Sequence, residues 1–147
     1  MMKICVLSDS HGRTSLMWDI LFDEKPDKIF FLGDGVSDLY EFGNIPQVSV
    51  CGNCDLCGGD EELVFPLEKE TLLLTHGHKY GVKQGLYRLF LRAKETGASV
   101  VFYGHIHRQK AEEEEGIMFI CPGAVKNGRY AVIKTVNGKI ETELKSL

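Results

Sequence analysis

Short apolar runs of strand type, each followed by a polar side chain with metal-binding chemistry, constrain the fold of this chain more than any other feature. The runs occupy residues 4–7, 29–32, 48–51, 72–74 and 100–103. Runs of this length that are rich in β-branched and aromatic residues are typical of buried strands. Because they are apolar at nearly every position, both faces of the sheet should be covered, as in a parallel or mixed sheet.

Polar residues that can bind a metal stand at or just beyond the end of each run. In chain order they are Asp9, Asp34, Asn53, His76 and His105. Open α/β sheets bind ligands beyond the carboxyl ends of their strands, so these side chains should meet in one crevice. Each remaining histidine stands two positions after one of them, at His11, His78 and His107. Histidine and carboxylate are the usual ligands of catalytic first-row metals, and the sequence therefore predicts a metal site.

The rest of the chain predicts helices and a group of antiparallel strands. We expect helices over residues 14–24, with Thr14 as the cap, over 36–42, and over 85–96. Strands are predicted over 109–114, 117–121, 130–136 and 139–144, with turns at Glu115-Gly116, Asn127-Gly128 and Asn137-Gly138. The predicted architecture is one mixed α/β domain spanning residues 1–147, with two sheets packed together and helices outside.

Charge and cysteine content limit the classes of function. The formal net charge is −4, which does not favour a surface for nucleic acid or another polyanion. A phosphate-bearing substrate would therefore need a local positive source, such as bound metal. We expect no membrane-spanning segment, and the odd number of cysteines, five, does not suggest a disulfide framework. The simplest expectation is a cytoplasmic protein with reduced thiols.

Taken one at a time, the motifs leave alternatives open. Asp9 could cap the next helix, Gly33-Asp34 could be a turn, and Asn53 could form an Asx-turn. The spacing Cys51-x2-Cys54-x2-Cys57 leaves open an iron–sulfur or zinc site. The pairs His76-Gly77-His78 and His105-Ile106-His107 point more firmly to metal, since two histidines two positions apart beyond a strand are rarely both structural.

Taken in order, these motifs resemble those of the calcineurin-like metallophosphoesterase superfamily. The motifs are Asp9-x-His11, Gly33-Asp34, Gly52-Asn53-x-Asp55, His76-x-His78 and Gly104-His105-x-His107. The short chain is similar to the small bacterial and archaeal phosphodiesterase subgroup, and Pro122-Gly123-Ala124 resembles its Pro-Gly-Ser turn. The resemblance implies an αββα sandwich of two mixed sheets flanked by helices, and a two-metal centre.

The resemblance also implies which residues hold the two divalent ions. One ion would take Asp9, His11, Asp34 and His107, and the other would take Asp34, Asn53, His76 and His105. Asp34 would bridge the pair. A bridging carboxylate suits two ions about 3.5–4 Å apart that share a hydroxide nucleophile and clamp a phosphoryl group. The mixed nitrogen and oxygen ligands suit manganese, our first choice, or iron, zinc, cobalt or nickel.

Two departures from the superfamily pattern bear on catalysis. Many members carry a histidine that protonates the leaving group where this chain has Cys54, and a neutral thiol is a poor general acid. The general acid is therefore unassigned. His78, which has no metal in this scheme, could contact phosphate or protonate the leaving oxygen, and Asp55 could orient a ligand. Asp34, Asn53, His78 and Asp55 are the catalytic candidates. Ala124 replaces the usual serine.

The resemblance favours a metal-dependent phosphodiesterase that acts on a small phosphate ester. A phosphomonoesterase or a nucleotide-diphosphate hydrolase is the nearest alternative among enzymes. A different class is a protein-binding scaffold like the retromer subunit, which shares the fold but departs from the ligand pattern. The retention of every ligand type here favours the enzyme. Homodimerisation through an exposed hairpin edge stays open.

Overall fold

Two five-stranded mixed sheets pack face to face in the computed structural model, which describes residues 1–56 and 58–147. The strands are β1 (Lys3–Leu7), β2 (Lys28–Phe31), β3 (Gln47–Ser49), β4 (Glu62–Leu67), β5 (Glu70–Thr75), β6 (Val100–Tyr103), β7 (Gln109–Glu114), β8 (Ile117–Pro122), β9 (Arg129–Val136) and β10 (Lys139–Ser146). The α-helices are α1 (Thr14–Glu24) and α2 (Tyr87–Thr96), and short 3₁₀ helices cover Val36–Phe42, His78–Tyr80 and Val125–Asn127.

Each sheet combines parallel and antiparallel pairs. The first sheet has the order β10-β9-β1-β2-β3, in which β1, β2 and β3 run parallel and β9 pairs antiparallel with β1. The second sheet has the order β4-β5-β6-β8-β7, in which β5, β6 and β8 run parallel. The carboxyl ends of β1 and β2, and of β5 and β6, are the strand ends that carry the predicted site.

Alternate residues of the central strands enter two different cores, which explains why the runs are apolar throughout. Ile4 and Val6 of β1 pack between the sheets, in the same cluster as Leu72 and Leu74 of β5. The intervening residues of β1 pack beneath α1, and α2 covers the outer face of the second sheet. The predicted sandwich of two mixed sheets flanked by helices is confirmed.

Several local predictions were wrong. Thr14 does not cap α1, because it is already helical and Arg13 at the cap position makes no side-chain capping hydrogen bond. Helix α2, which was predicted over residues 85–96, begins at Tyr87, two residues later than predicted. Asn127-Gly128 resembles a hairpin turn, but it ends a 3₁₀ helix that carries the chain from β8 in one sheet to β9 in the other. Strand β4 was not predicted.

A buried carboxylate at the end of α1 ties this helix to three strands of the first sheet. Glu24 contacts Lys3 Nζ at 2.8 Å and Lys145 Nζ at 2.6 Å, and accepts a 2.6 Å hydrogen bond from the Tyr130 hydroxyl. Burial alone would raise the pKa of Glu24, but these donors outweigh it and lower the pKa to about 2. The two ammonium groups also offset the unfavourable position of a carboxylate at a helix C-terminus.

None of the helices that the structure describes has the length and apolar character needed to cross a membrane.

Candidate metal centre

The predicted ligands converge where the two sheets meet at their strand ends. Asp9 and Asp34 follow β1 and β2 of the first sheet, and His76 and His105 follow β5 and β6 of the second. Backbone hydrogen bonds join these loops: the Asp9 N–H donates to the Gly33 carbonyl at 2.9 Å, and the Gly104 N–H donates to the His76 carbonyl at 3.0 Å. The backbone itself therefore holds the two loops of each sheet against each other.

Two groups of potential metal ligands lie side by side in this crevice. In each group the ligand atoms lie within 4.8 Å of one another: Asp9, His11 and His107 form one, and Asp34, His76 and His105 form the other. The groups adjoin, since His11 Nε2 lies 3.9 Å from Asp34 Oδ2 and His76 Nε2 lies 3.9 Å from Asp9 Oδ1. His76 Nε2 also lies 3.2 Å from Asp34 Oδ2. Two adjoining groups of this kind are what a two-ion centre requires.

Neighbouring groups orient the Asp9 carboxylate and the His76 ring. The Ser8 hydroxyl donates to Asp9 Oδ2 at 2.5 Å, and the backbone N–H of His105 donates to the same oxygen at 3.1 Å. The other oxygen, Oδ1, therefore faces His107. His76 Nδ1 lies 2.7 Å from the Leu32 carbonyl. As a carbonyl only accepts, Nδ1 must carry the proton, which leaves the Nε2 lone pair free for a metal.

The backbone adopts an uncommon conformation at most of the predicted ligands. Asp9, His11, Asp34, His105 and His107 have φ values between 44° and 74°. Aspartate and histidine tolerate this left-handed region better than most residues, but it still costs free energy. Strained residues cluster at functional sites when the surrounding structure holds them in place, and the strain here turns five side chains into one crevice.

Asp55 holds the loop of Asp34 and the loop of Asn53 together. Its carboxylate accepts backbone hydrogen bonds from Asp34 at 2.7 Å, Gly35 at 2.9 Å, Val36 at 3.1 Å and Gly52 at 2.8 Å. Burial alone would raise the pKa of Asp55, but these donors outweigh it and hold the pKa below its ordinary value. The contacts favour the orienting role over a chemical one. The catalytic role assigned to Asp55 from the sequence stays a prediction.

Glycine is required at residue 52 because the backbone there lies against the bridging candidate. A side chain built at Gly52 would collide with the carboxylate of Asp34. The same carboxylate accepts a 2.8 Å hydrogen bond from the Cys54 N–H through Oδ1. Asp34 Oδ1 thus accepts a backbone hydrogen bond, and Oδ2 is the oxygen that faces His11 and His76.

The charges of the crevice fit bound cations. Asp9 and Asp34 are buried, and in the part of the chain that the structure describes their ion-pair contacts are with histidines alone. Burial, together with the nearby His76 and Lys83, lowers the pKa of His105 to about 4, so this imidazole is neutral at pH 7. Asp9 and Asp34 have no lysine or arginine counter-charge among the described residues, which favours a bound cation, and the neutral form of His105 is the form that binds metal.

Asn53 and Cys54 lie at the rim of the crevice. Asn53 is exposed, and its Nδ2 lies 3.6 Å from Cys54 Sγ. Its role as a ligand stays a prediction. Cys54 Sγ forms a third potential ligand group with His11 and Asp34, which the sequence reasoning had not identified. Burial and the charge of Asp34 raise the pKa of the Cys54 thiol, so without metal it stays protonated and is a weak acid.

His78 stands beside the ligands without joining their groups. Its ring centroid lies 5.4 Å from that of His76 and 6.2 Å from that of His105, and its buried Nδ1 has no hydrogen-bond partner among the described residues. Burial lowers its pKa. A cavity of about 490 Å³ opens next to it, lined in part by residues 59–62 as well as by Tyr80 and Arg92.

The expectation of reduced thiols fails at one of the four cysteines that the structure describes. Cys51 is buried and disulfide-bonded, while Cys5, Cys54 and Cys121 are free. The alternative of a three-cysteine iron–sulfur or zinc site includes Cys57, which lies outside the described residues. A disulfide-bonded Cys51 offers no thiolate to a metal, so the structure gives this alternative no support.

The two-sheet sandwich and the ligand groups at its strand ends define a metal-dependent phosphoesterase. Residues 2–140 match the family model of the calcineurin-like phosphoesterase superfamily domain. The chain belongs to this superfamily, as its motifs predicted.

Relatives and solved structures agree with this assignment. The chain is 32% identical over 145 residues to the probable metallophosphoesterase YsnB of Bacillus subtilis, covering 92% of this chain and 86% of YsnB. It is 29% identical over 154 residues to the phosphodiesterase YfcE of Escherichia coli K12, covering 85% of this chain and 80% of YfcE.

Two solved structures show how widely the fold is shared. A conserved uncharacterized protein of Streptococcus pneumoniae, a predicted phosphoesterase, superposes with a TM-score of 0.81 at 28% identity, covering 99% of this chain and 89% of that one. Vps29 of Entamoeba histolytica, solved in complex with zinc, superposes with a TM-score of 0.76, covering 99% of each chain. At 17% identity, the likeness to Vps29 shows the fold alone.

Proposed function

We propose that this protein is a phosphodiesterase that uses two divalent metal ions held at the strand ends of both sheets. The observation that carries the proposal is the pair of adjoining ligand groups around Asp9 and Asp34. The phosphodiesterase activity in the name of YfcE supports the choice of substrate class. Against the scaffold alternative, the chain retains every ligand type that the superfamily pattern requires.

The proposed ligands of each ion are those that the resemblance of the sequence motifs implies. Asp9, His11, Asp34 and His107 would hold one ion, and Asp34, Asn53, His76 and His105 the other. Such a pair supplies a nucleophile from water at neutral pH and stabilises the charge on the phosphoryl group. Asp34, whose Oδ2 faces both His11 and His76, would be the ligand that the two ions share. Manganese is our first choice, with iron, zinc, cobalt and nickel as alternatives.

The chain's own residues pre-organise the crevice for this chemistry. Ser8 and the His105 N–H fix the Asp9 carboxylate, the Leu32 carbonyl fixes the His76 ring, and Asp55 fixes the loop of Asp34. Groups that are already oriented require no reorganisation during the reaction. His78 faces the 490 Å³ cavity beside the ligands, which suits contact with the phosphate or its leaving oxygen.

Replacement of His78 by alanine should slow the hydrolysis of phosphodiesters with poor leaving groups by about a hundredfold, because a general acid contributes about that much or more. Activated aryl diesters need no protonation of the leaving oxygen, so their turnover should stay close to that of the wild type. Rates for alkyl and aryl diesters, measured at equal metal content, check this. Equal rates for alkyl diesters in variant and wild type would remove His78 from the mechanism.

The proposed function itself is tested by stripping the metal and restoring it. The protein freed of metal by chelation should not hydrolyse an activated aryl phosphodiester, and manganese should restore turnover. An aryl phosphomonoester should be the poorer substrate. Preference for the monoester would favour a phosphomonoesterase. Cleavage of a nucleotide diphosphate would favour a nucleotide-diphosphate hydrolase. If none of the five metals restored turnover, the proposal of an enzyme would be refuted and a protein-binding scaffold would be favoured.

Several features of the cellular role remain part of the proposal. The substrate is a small phosphate ester and not a nucleic acid, since the chain carries a net charge of −4. We also propose that residues 1–147 form a single domain and that the protein works in the cytoplasm. Homodimerisation through an exposed edge strand, such as β7 or β10, is compatible with the sheet orders.

A further inference from the structure

A small cavity lined by basic side chains lies behind the loop that carries His105 and His107. Its volume is about 240 Å³, below the usual range of about 300–1,000 Å³ for small-molecule sites, so its size suits a single anionic group. Its lining includes Lys83, Arg108, Lys110 and Tyr103. Among the described residues no acidic side chain lines it, although the chain as a whole is acidic. We call this space the basic cavity.

Two of the three cations of the basic cavity are available to a ligand. Lys110 contacts Glu112 at 3.2 Å, which offsets its charge. Lys83 and Arg108 are exposed, and neither forms an ion pair with any residue that the structure describes. Arginine binds phosphate and carboxylate through its planar fork, and lysine adds a point charge.

A buried hydroxyl without a partner gives independent evidence for a ligand. Tyr103 lines the basic cavity and is completely buried, and its hydroxyl makes no hydrogen bond to the described residues. An unsatisfied buried hydroxyl costs about 1–3 kcal/mol, and such groups in native structures need an explanation. Burial raises the pKa of Tyr103, so the hydroxyl keeps its proton at neutral pH and can donate it in a hydrogen bond to an anion.

The basic cavity lies next to the metal centre. Ile106, which lines it, is the residue between His105 and His107. Lys83 is also near enough for its charge to act on His105. An anion held by Lys83, Arg108 and Tyr103 would therefore lie near the loop of His105 and His107, two of the predicted metal ligands. This proximity favours a second part of one substrate over an unrelated ligand.

We propose that the basic cavity binds a further phosphate group of the substrate, other than the one that is hydrolysed. This inference rests on the proposed function, since it assigns the substrate class of the same site: a phosphodiester that carries an additional phosphate. Lys83 and Arg108 supply the charge and Tyr103 donates a hydrogen bond. The binding energy comes from a group remote from the reacting bond.

Binding at the basic cavity can be measured without any turnover. Inorganic phosphate, titrated into the zinc-loaded 147-residue protein, should shift the amide NMR signals of Lys83, Leu86 and Lys110, which line the basic cavity and are not chain neighbours of the predicted metal ligands, with a saturable dependence. Lys83→Ala and Arg108→Gln should each weaken this response by about tenfold, as expected for one charged hydrogen bond. Lys139→Ala, which removes a charge from an exposed hairpin, is the matched control and should change nothing. A response that both cavity variants retain in full would overturn the proposal.

Tyr103→Phe separates a binding role from a structural one. Removal of an unsatisfied buried hydroxyl should raise the melting temperature of the phosphate-free protein and should weaken phosphate binding by several-fold. A structural role would give the opposite stability result. Weakened folding together with unchanged phosphate binding would remove Tyr103 from the site.

The source of the phosphate is decided by kinetics. For an aryl phosphodiester with an additional terminal phosphate, Lys83→Ala and Arg108→Gln should raise KM by about tenfold. The KM of the same diester without that phosphate should not change. Phosphate binding in the NMR titration without this KM difference would overturn the substrate assignment. Lack of turnover on every diester would instead refute the proposed function, and the NMR result would still stand.

Discussion

Replacement of Asp34 by asparagine should abolish metal binding and hydrolysis together. Its Oδ2 faces both ligand groups, so the loss of one charge affects both ions. Metal ions stabilise the transition state of phosphoryl transfer by several kcal/mol, and turnover should fall by about a thousandfold or more. Metal content by mass spectrometry and turnover of an aryl phosphodiester, measured on the same sample, check this result.

The same substitution should leave the metal-free protein folded. Asparagine has the shape of aspartate, and its side-chain oxygen still accepts the hydrogen bond that the Cys54 N–H donates to Asp34. Removing one of two buried carboxylates should also relieve repulsion with Asp9, so the variant should melt no lower than wild-type protein without metal. Asp19→Asn, on the exposed face of α1, is the matched control and should retain metal and activity. Wild-type turnover by Asp34→Asn at equal metal load would refute the assignment.

Replacement of Glu24 by glutamine should lower the free energy of unfolding by about 3 kcal/mol at pH 7. Glu24 lies in the structural core and not in the metal centre. The substitution leaves the partly buried ammonium groups of Lys3 and Lys145 without a counter-charge, and loss of one partner of a buried ion pair costs about 3–5 kcal/mol. Urea unfolding of the metal-free protein measures the difference. Asp23→Asn, the exposed neighbour, is the control and should change little.

The contribution of Glu24 should depend on pH in a defined direction. Its pKa falls from 4.5 to about 2 on folding, so the folded state binds fewer protons than the unfolded state in this range. The stabilisation is fully present above about pH 4.5 and is lost as the pH falls towards 2. The difference between wild type and Glu24→Gln should therefore narrow only below about pH 4.5. A difference that stays constant down to pH 3 would show that the charge of Glu24 is not responsible.

Sequence reasoning located the strand ends because two simple rules act there together. A strand buried on both faces must be apolar throughout, and a sheet collects the residues that follow its parallel strands at one edge. The strands that precede Asp9, Asp34, His76 and His105 follow both rules. The fold is confirmed. The structure also brings six of the seven predicted metal ligands into two adjoining groups, while their roles stay a proposal.

Features that depend on contacts between residues far apart in the chain could not be predicted from the sequence. Asn127-Gly128 has the residues of a hairpin turn, and only the packing of the two sheets directs the chain into a crossover there. Strand β4 contains Pro66 and lies at a sheet edge, where proline is tolerated but the strand signal is weak. Glu24 and the basic cavity each bring together residues from separate elements, and no local pattern marks them.

The two-metal centre is tested most directly by a crystal structure of the protein grown with manganese and phosphate. A two-metal centre of this kind predicts two anomalous peaks about 3.5–4 Å apart, with Asp34 Oδ2 between them and phosphate bound to both. Asp9, His11 and His107 should contact one peak, and Asn53, His76 and His105 the other. A single peak at full occupancy, or two peaks that do not share Asp34, would contradict it.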